Sequence, residues 1–294
     1  MKTLWKAGLT TGLLTIAAGA QAQTSPDVGV NRAEARLERV ERPERPAMRA
    51  APGEPERFPW EVSVSVPFTY NSNVANAETN RDQAFHADPT ITIAKKWAIG
   101  GGAQFFIEGD VDSDAYTAHN ENDSSTLMGQ AGFRFGDATT GIAPYVHYTV
   151  MSLYTGQFDS HDVTIHHFTL GAKRSWAAGD HARVALDANV LRREASVNTV
   201  ELNRGTATLT YSADINETTS WSLSARGQYS HYTGGTSKGR DDVLLRVLGG
   251  VSFALSENLA LDLQANFQRN WSDRAGKDYS VWDVGPTVTL STHF

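Results

Sequence analysis

The sequence contains no cysteine. In a chain bound for an oxidising compartment this excludes disulfide staples and thiolate metal sites. Beyond residue 22 it also lacks any run of about twenty apolar residues, so no transmembrane helix is expected. An excess of positive charge is missing too. The formal net charge is −7 and the pI is near 5.7, which argues against nucleic acid as a partner. The mildly polar overall hydropathy suits a soluble protein and a membrane protein of extended strands equally.

The amino end reads as a secretory signal. Lys2 and Lys6 precede a short, mostly apolar stretch at 7–18, and Ala20-Gln21-Ala22 has the small-x-small form of a cleavage site. Cleavage is expected after Ala22, leaving a mature chain that starts at Gln23. Residues 23–58 are rich in Arg, Glu, Pro and Ala. A short charged helix is expected from Asn31 to Val40, with Asn31 as its cap. Pro43, Pro46, Pro52 and Pro55 then break regular structure. This region reads as a short periplasmic extension, disordered or helical, and a solvated leader is favoured over a tether, a partner-binding arm or a plug.

From residue 59 to residue 294 the pattern changes to a period of two. Trp60, Val62, Val64, Val66, Phe68 and Tyr70 alternate with Glu61, Ser63, Ser65, Pro67 and Thr69. Such spacing puts apolar groups on one face of a strand and polar groups on the other. The same alternation predicts twelve strands, at about 59–71, 85–98, 102–115, 125–136, 142–155, 162–176, 181–194, 199–213, 218–233, 241–254, 258–271 and 279–294. The sixth has the least regular pattern, and a bulge is expected there. Short connections near 99–101, 137–141, 177–180, 214–217 and 256–258 alternate with longer ones near 72–84, 116–124, 156–161, 195–198, 234–240 and 272–278.

Three features point to an all-β, antiparallel, up-and-down transmembrane β-barrel of about twelve strands rather than a soluble sandwich. Most segments reach about 12–16 residues, well beyond the usual soluble strand and enough to cross a bilayer at a tilt. Aromatic residues sort by strand end. Trp60, Trp97, Trp176 and Trp221 fall at the short-turn end, and Tyr70, Tyr116, Tyr154, Trp271, Tyr279 and Trp282 at the long-loop end. This matches two interfacial girdles. The chain also ends with Val288, Leu290 and Phe294 on one face of a final strand. That ending resembles the targeting signal of outer-membrane barrels, which implies insertion by the barrel-assembly machinery into outer-membrane lipid and lipopolysaccharide.

If the apolar faces meet lipid, their alternates line a lumen. Asp88, Glu108, Asp110, Asp262 and Asp283 then form an acidic wall, and Arg134, Arg183, Arg226 and Arg246 a basic one. Opposed charges across a narrow wet lumen orient and sort small solutes. The alternative is that these charges pair and fill the barrel.

No catalytic residue, cofactor or metal site is assigned. His166 and His167 are strand neighbours and face opposite ways, and no spacing supplies three convergent metal ligands. The run Ser230-His231-Tyr232-Thr233-Gly234-Gly235 resembles the His-x-Ser-Asn-Gly run of the outer-membrane phospholipase family. His231 stands at its base and Thr233 replaces its nucleophilic Ser, but its Asn is absent.

Residues 59–294 resemble outer-membrane porins and related barrels. Among the twelve-stranded members, channels for acidic sugars carry basic lumen tracks, and Arg134, Arg183, Arg226 and Arg246 are residues of that type. The Thr69-Tyr70-Asn71-Ser72-Asn73-Val74 stretch resembles the strand-to-loop junction of surface lipoprotein assembly modifiers, whose large helical region has no counterpart here. The resemblance implies passive passage of small hydrophilic or charged solutes. A filled structural, adhesive or assembly-related barrel is the second expectation, and a lipid hydrolase the third.

Overall fold

The computed structural model describes residues 60–79 and 81–294, together with Val30 and Glu34. The signal segment 1–22 and nearly all of 23–58 lie outside the described residues. The chain forms strands β1 (Glu61–Asn71), β2 (Ala84–Ala87), β3 (Thr90–Gly100), β4 (Ala103–Tyr116), β5 (Ser124–Phe135), β6 (Ala143–Thr155) and β7 (Ser160–Ala177). They are followed by β8 (Ala182–Ala195), β9 (Leu202–Asp214), β10 (Thr219–Tyr232), β11 (Asp241–Ala254), β12 (Leu259–Ser272) and β13 (Tyr279–His293). Each pairs antiparallel with its neighbours, and β13 returns to pair with β1. β2 and β3 are two parts of one wall position, interrupted at Asp88-Pro89, so the closed barrel has twelve strands. Pro89 has no N–H to give to the ladder, and a proline is tolerated at such a break.

Side-chain parity explains why these sequences make this wall. Val64, Val66, Phe68, Ile91, Ile93, Leu209, Leu223, Leu245, Leu263, Val288 and Leu290 are all exposed on the outer face. In water such a continuous apolar surface is unfavourable, whereas in hydrocarbon it costs nothing. The inward alternates are buried and polar: Thr90, Asp110, Asp112, Thr126, Thr169, Asn266, Gln268 and Asn270. Closure pairs every strand on both sides, which a hydrocarbon solvent demands.

Aromatic rings cluster at the two outer rims. Trp60 meets Trp97 edge-on at 6.3 Å, Trp97 stacks on Phe105 at 5.5 Å, and Tyr211 packs on Trp221 at 5.1 Å, all near the short turns. Lys95 extends over the rings of Trp60 and Trp97. At the other rim Phe267 packs on Trp282 at 4.5 Å. Two residues depart from the expected girdle. Tyr116 and Tyr279 are inward and buried, because their strand parity sets them on the lumen face. Tyr116 stacks on His86 with ring centres 4.9 Å apart, and the Tyr279 hydroxyl accepts from Gln268 Nε2 at 2.7 Å.

Loop lengths alternate less cleanly than the sequence suggests. The β5–β6 connection, 136–142, is longer than the β6–β7 connection, 156–159. Side-chain parity therefore carries the orientation better than loop length does. The shortest turn, between β3 and β4, holds Gly100, Gly101 and Gly102 at φ values of 90°, 61° and 76°, a left-handed run that only glycine adopts cheaply. A register shift at Leu153/Tyr154 opposite β7 supplies the expected bulge.

Two outcomes test the facing. Leu209→Arg, which puts a charge at mid-height on the outer face, is expected to cost roughly 2–4 kcal/mol in urea titrations in lipid. Single cysteines at Leu263 and Asn266 are expected to be lipid-protected and lumen-protected respectively, read with a lipid-borne quencher; quenching at Asn266 and not at Leu263 would reverse the wall.

Candidate functional site

The lumen is the candidate site. Of the expected wall residues, Asp88, Asp110, Arg246, Asp262 and Asp283 are buried on the inner face, and Glu108, Arg134 and Arg226 are half-buried. Arg183 departs from the expectation. It is the second residue of β8 and lies exposed at the short-turn rim, too close to the strand end to line the interior.

The acidic and basic walls are joined rather than held apart. Arg226 and Arg246 are direct cross-strand neighbours on β10 and β11. Arg226 Nε donates to Thr208 Oγ1 at 3.0 Å. Arg246 Nε donates to Asn266 Oδ1 at 2.8 Å, and Asn266 Nδ2 donates to Asp283 Oδ2 at 2.9 Å. This relay spans β11, β12 and β13 and links a basic group to an acidic one through an amide. Asp110 accepts from the Thr92 hydroxyl. Asp88, Glu108, Arg134, Arg226, Arg246, Asp262 and Asp283 all engage partner groups.

Val30 and Glu34 also lie in the lumen. Both have helical backbone and, four residues apart, share one helix face. Val30 is fully buried against Met128, Met151, Leu153, Val163, Ile165 and Val200. Those residues come from the inner face of β5, β6 and β7 near the long-loop end, and from the 3-10 turn Asn198–Val200. Here the alternation inverts. On β7 the apolar residues face inward as far as Ile165 and outward from Phe168. The irregular pattern of this strand thus has a cause beyond its bulge: the lumen needs apolar surface where Val30 packs.

One turn further on, Glu34 meets two arginines and a histidine. Its Oε1 accepts from Arg193 Nη1 at 2.8 Å and lies 3.1 Å from His167 Nε2, and its Oε2 accepts from Arg204 Nη1 at 2.8 Å. Arg193 has no solvent exposure and also donates from Nε to the Val200 carbonyl at 2.6 Å. Arg204 Nε donates to Ser230 Oγ at 3.0 Å. β7, β8 and β9 contribute one histidine and two arginines, so a single carboxylate ties three adjacent strands. A buried charge is tolerated only with such partners. The solvated reading of the 23–58 extension is therefore corrected at these two positions, which are inside the barrel.

His86 forms a second inward cluster. It lies 2.6 Å from Asp114 Oδ1 and 2.5 Å from Thr69 Oγ1. The residue types suit nucleophile, base and acid, but all three are buried, and the arrangement braces β1, β2 and β4. Nearby, the Tyr116 backbone N–H donates to Asp123 Oδ1 in the β4–β5 loop, and burial raises the Asp123 carboxyl above its ordinary range. Tyr145 covers Gly171 on the adjacent strand, stacks on His147 with ring centres 5.6 Å apart and donates to Asp187 at 2.7 Å. His166 and His167 face opposite ways, as expected of strand neighbours, with His167 inward. His166 points outward, where its Nδ1 is 2.6 Å from the Tyr148 hydroxyl.

The run around His231 lies on the outer wall near the long-loop rim. His231 Nδ1 is 2.8 Å from Asp241 Oδ1, and the Tyr229 hydroxyl donates to the same oxygen. The Thr233 hydroxyl accepts from Arg192 Nη1 at 2.8 Å. Among the described residues no hydrogen bond joins His231 to Thr233, and the hydroxyl is engaged away from the imidazole. Among the described residues there is likewise no group of three side chains able to hold a metal ion.

No family model matches the chain, and no curated protein does. Solved structures share the fold. An outer-membrane channel from Pseudomonas putida F1 aligns over 83% of this chain and all of its own, with a TM-score of 0.52 at 8% identity. The translocator domain of autotransporter NalP from Neisseria meningitidis aligns over 92% of this chain and 99% of its own, with a TM-score of 0.49 at 14% identity. The KdgM porin, solved with a disordered oligogalacturonate, aligns over 79% and 99%, with a TM-score of 0.43 at 12% identity. The fold is that of an outer-membrane β-barrel.

Gly171 tests the inner packing. A Cβ added there meets the Tyr145 ring and lies 2.8 Å from Asn189 Cβ. Gly171→Ala is expected to displace Tyr145 from Asp187 and to cost about 1–3 kcal/mol, read as an earlier midpoint in urea unfolding.

Proposed function

We propose that this outer-membrane barrel is a passive channel for small charged solutes, with Glu34 and Val30 occupying its lumen in the state described. The observation that supports this reading is the inner face itself. A filled barrel can pair its inward charges locally, whereas a channel gains from charges sorted by sign around the wall. This barrel carries acidic groups on β3–β4 and β12–β13 and basic groups on β8–β11. Charged linings of that kind select by sign and orient dipolar solutes. Val30 and Glu34 of the extension act within this lumen, toward its long-loop end, and Val288, Leu290 and Phe294 direct assembly. The signal 1–22 sends the chain across the inner membrane.

A second reading, a filled structural or assembly-related surface barrel, is favoured by one observation. The lumen charges engage partners, and a carboxylate of the chain itself sits among the arginines. The outer-wall His231–Asp241 pair supports no reading as a hydrolase, because Thr233 is held by Arg192.

Planar bilayers separate the two. A channel gives discrete conductance steps, and Arg226→Glu is expected to move the zero-current potential in a KCl gradient toward cation selectivity. A bilayer that stays sealed across salts and voltages contradicts the channel reading and favours the filled barrel, and an unchanged potential in Arg226→Glu overturns the claim that this wall selects by charge.

A further inference from the structure

We propose that His167, Arg193 and Arg204 form a carboxylate-binding site in the lumen wall, which Glu34 fills as a tethered ligand and which a carboxylate-bearing solute takes in its place. The geometry is that of a built site. The two carboxylate oxygens have separate partners: Arg193 and His167 on one, Arg204 on the other. Two of those partners are themselves fixed, Arg193 by the Val200 carbonyl and Arg204 by Ser230. They are preorganised and do not depend on Glu34 for their positions, so binding spends little energy on ordering them.

A second observation points to a ligand. Among the described residues Arg193 Nη2 is buried and has no hydrogen-bond partner, and His167 Nε2 lies 3.1 Å from Glu34 Oε1. Two arginines around one carboxylate leave a net positive charge and an unused donor on Arg193. A wall evolved only to anchor Glu34 is satisfied by a single arginine with its fork filled. A surplus of donors suits a ligand with more acceptor oxygens than one side-chain carboxylate, such as a hydroxy acid or an acidic sugar. Guanidinium groups recognise carboxylates through directed, paired N–H bonds.

The neighbouring surface adds selectivity. Met128, Met151, Leu153, Val163 and Ile165 lie on the same side of the lumen and bury Val30. A ligand with a carboxylate head and a short apolar portion therefore matches both parts of the surface. Exchange of Glu34 for such a solute rests on the channel reading, whereas the existence of the site does not.

The test is chemical rescue. Glu34→Ala removes the tethered carboxymethyl group and leaves room for the head of a small free carboxylate such as propionate. The full mature chain is purified in detergent, and its melting midpoint is read in sodium propionate and in sodium chloride at equal ionic strength. Propionate is expected to raise the Glu34→Ala midpoint by several degrees relative to chloride, to leave the unsubstituted protein unchanged, and to lose its effect in Glu34→Ala/Arg193→Met. If Glu34→Ala does not fold on purification, its refolding yield in propionate against chloride gives the same reading. An equal response to both anions overturns the site. Bilayer currents of Glu34→Ala distinguish the two claims. Rescue with currents that propionate reduces supports the site and the channel reading together. Rescue in a bilayer that stays sealed keeps the site and overturns the channel reading.

Discussion

Everything in this molecule depends on β1 pairing with β13. A twelve-strand sheet in hydrocarbon with one open edge would leave a full row of backbone donors and acceptors unsatisfied, each costing several kcal/mol. The seam runs from Glu61 opposite His293 to Asn71 opposite Asp283, and Trp60 and Phe294 exchange both backbone bonds at 2.9 and 3.0 Å. It is not a uniform ladder. Pro67 and Pro286 contribute no donor, and Gly285 lies so close to the Phe68 carbonyl that a side chain there meets backbone. The seam closes around these residues because glycine admits the close approach. The same terminal strand carries Val288, Leu290 and Phe294 on its outer face.

Closure creates the second constraint, an inside. With lipid taking the apolar face, the alternate face inherits the polar groups and must satisfy them in a narrow space. The Arg246–Asn266–Asp283 relay and the Glu34 cluster are two solutions to one problem: a charge withdrawn from water needs partners with fixed geometry. The first is built within the wall. The second recruits a residue 133 positions upstream of His167, so the part of the chain preceding the barrel belongs to its interior energetics.

Strand positions were legible in the sequence because lipid imposes a strict period of two. A residue such as Leu263 or Val288 faces one solvent and its neighbour faces another, so the chain records the wall directly. The inward placement of Asp110, Asp262, Asp283 and Arg246 followed from the same parity. Other features were hidden for physical reasons. Val30 and Glu34 lie among Arg, Glu and Pro residues, a composition that signals solvation, and only the lumen's own charges make Glu34 welcome there. Arg204, beside Gly205 near the start of its strand, carried no periodic signal. The one usable sign was in β6 and β7, where Met151, Leu153, Val163 and Ile165 break the outward apolar rule. Read as an apolar patch inside the barrel, that inversion calls for something to cover it. Tyr116 and Tyr279 lie inward because strand parity, and not nearness to a rim, decides which way a ring points.

The central claim is that Val30 and Glu34 reside in the lumen, against β5–β9. The absence of native cysteine permits a direct measurement in intact outer membranes. Cysteines placed at Val30 and Ile165, bridged by a short bis-maleimide, are predicted to form an intramolecular cross-link that alters gel mobility. A pair at Ser65 and Thr289 across the seam serves as the positive control. Efficient bridging at the seam with none between Val30 and Ile165 would contradict the account.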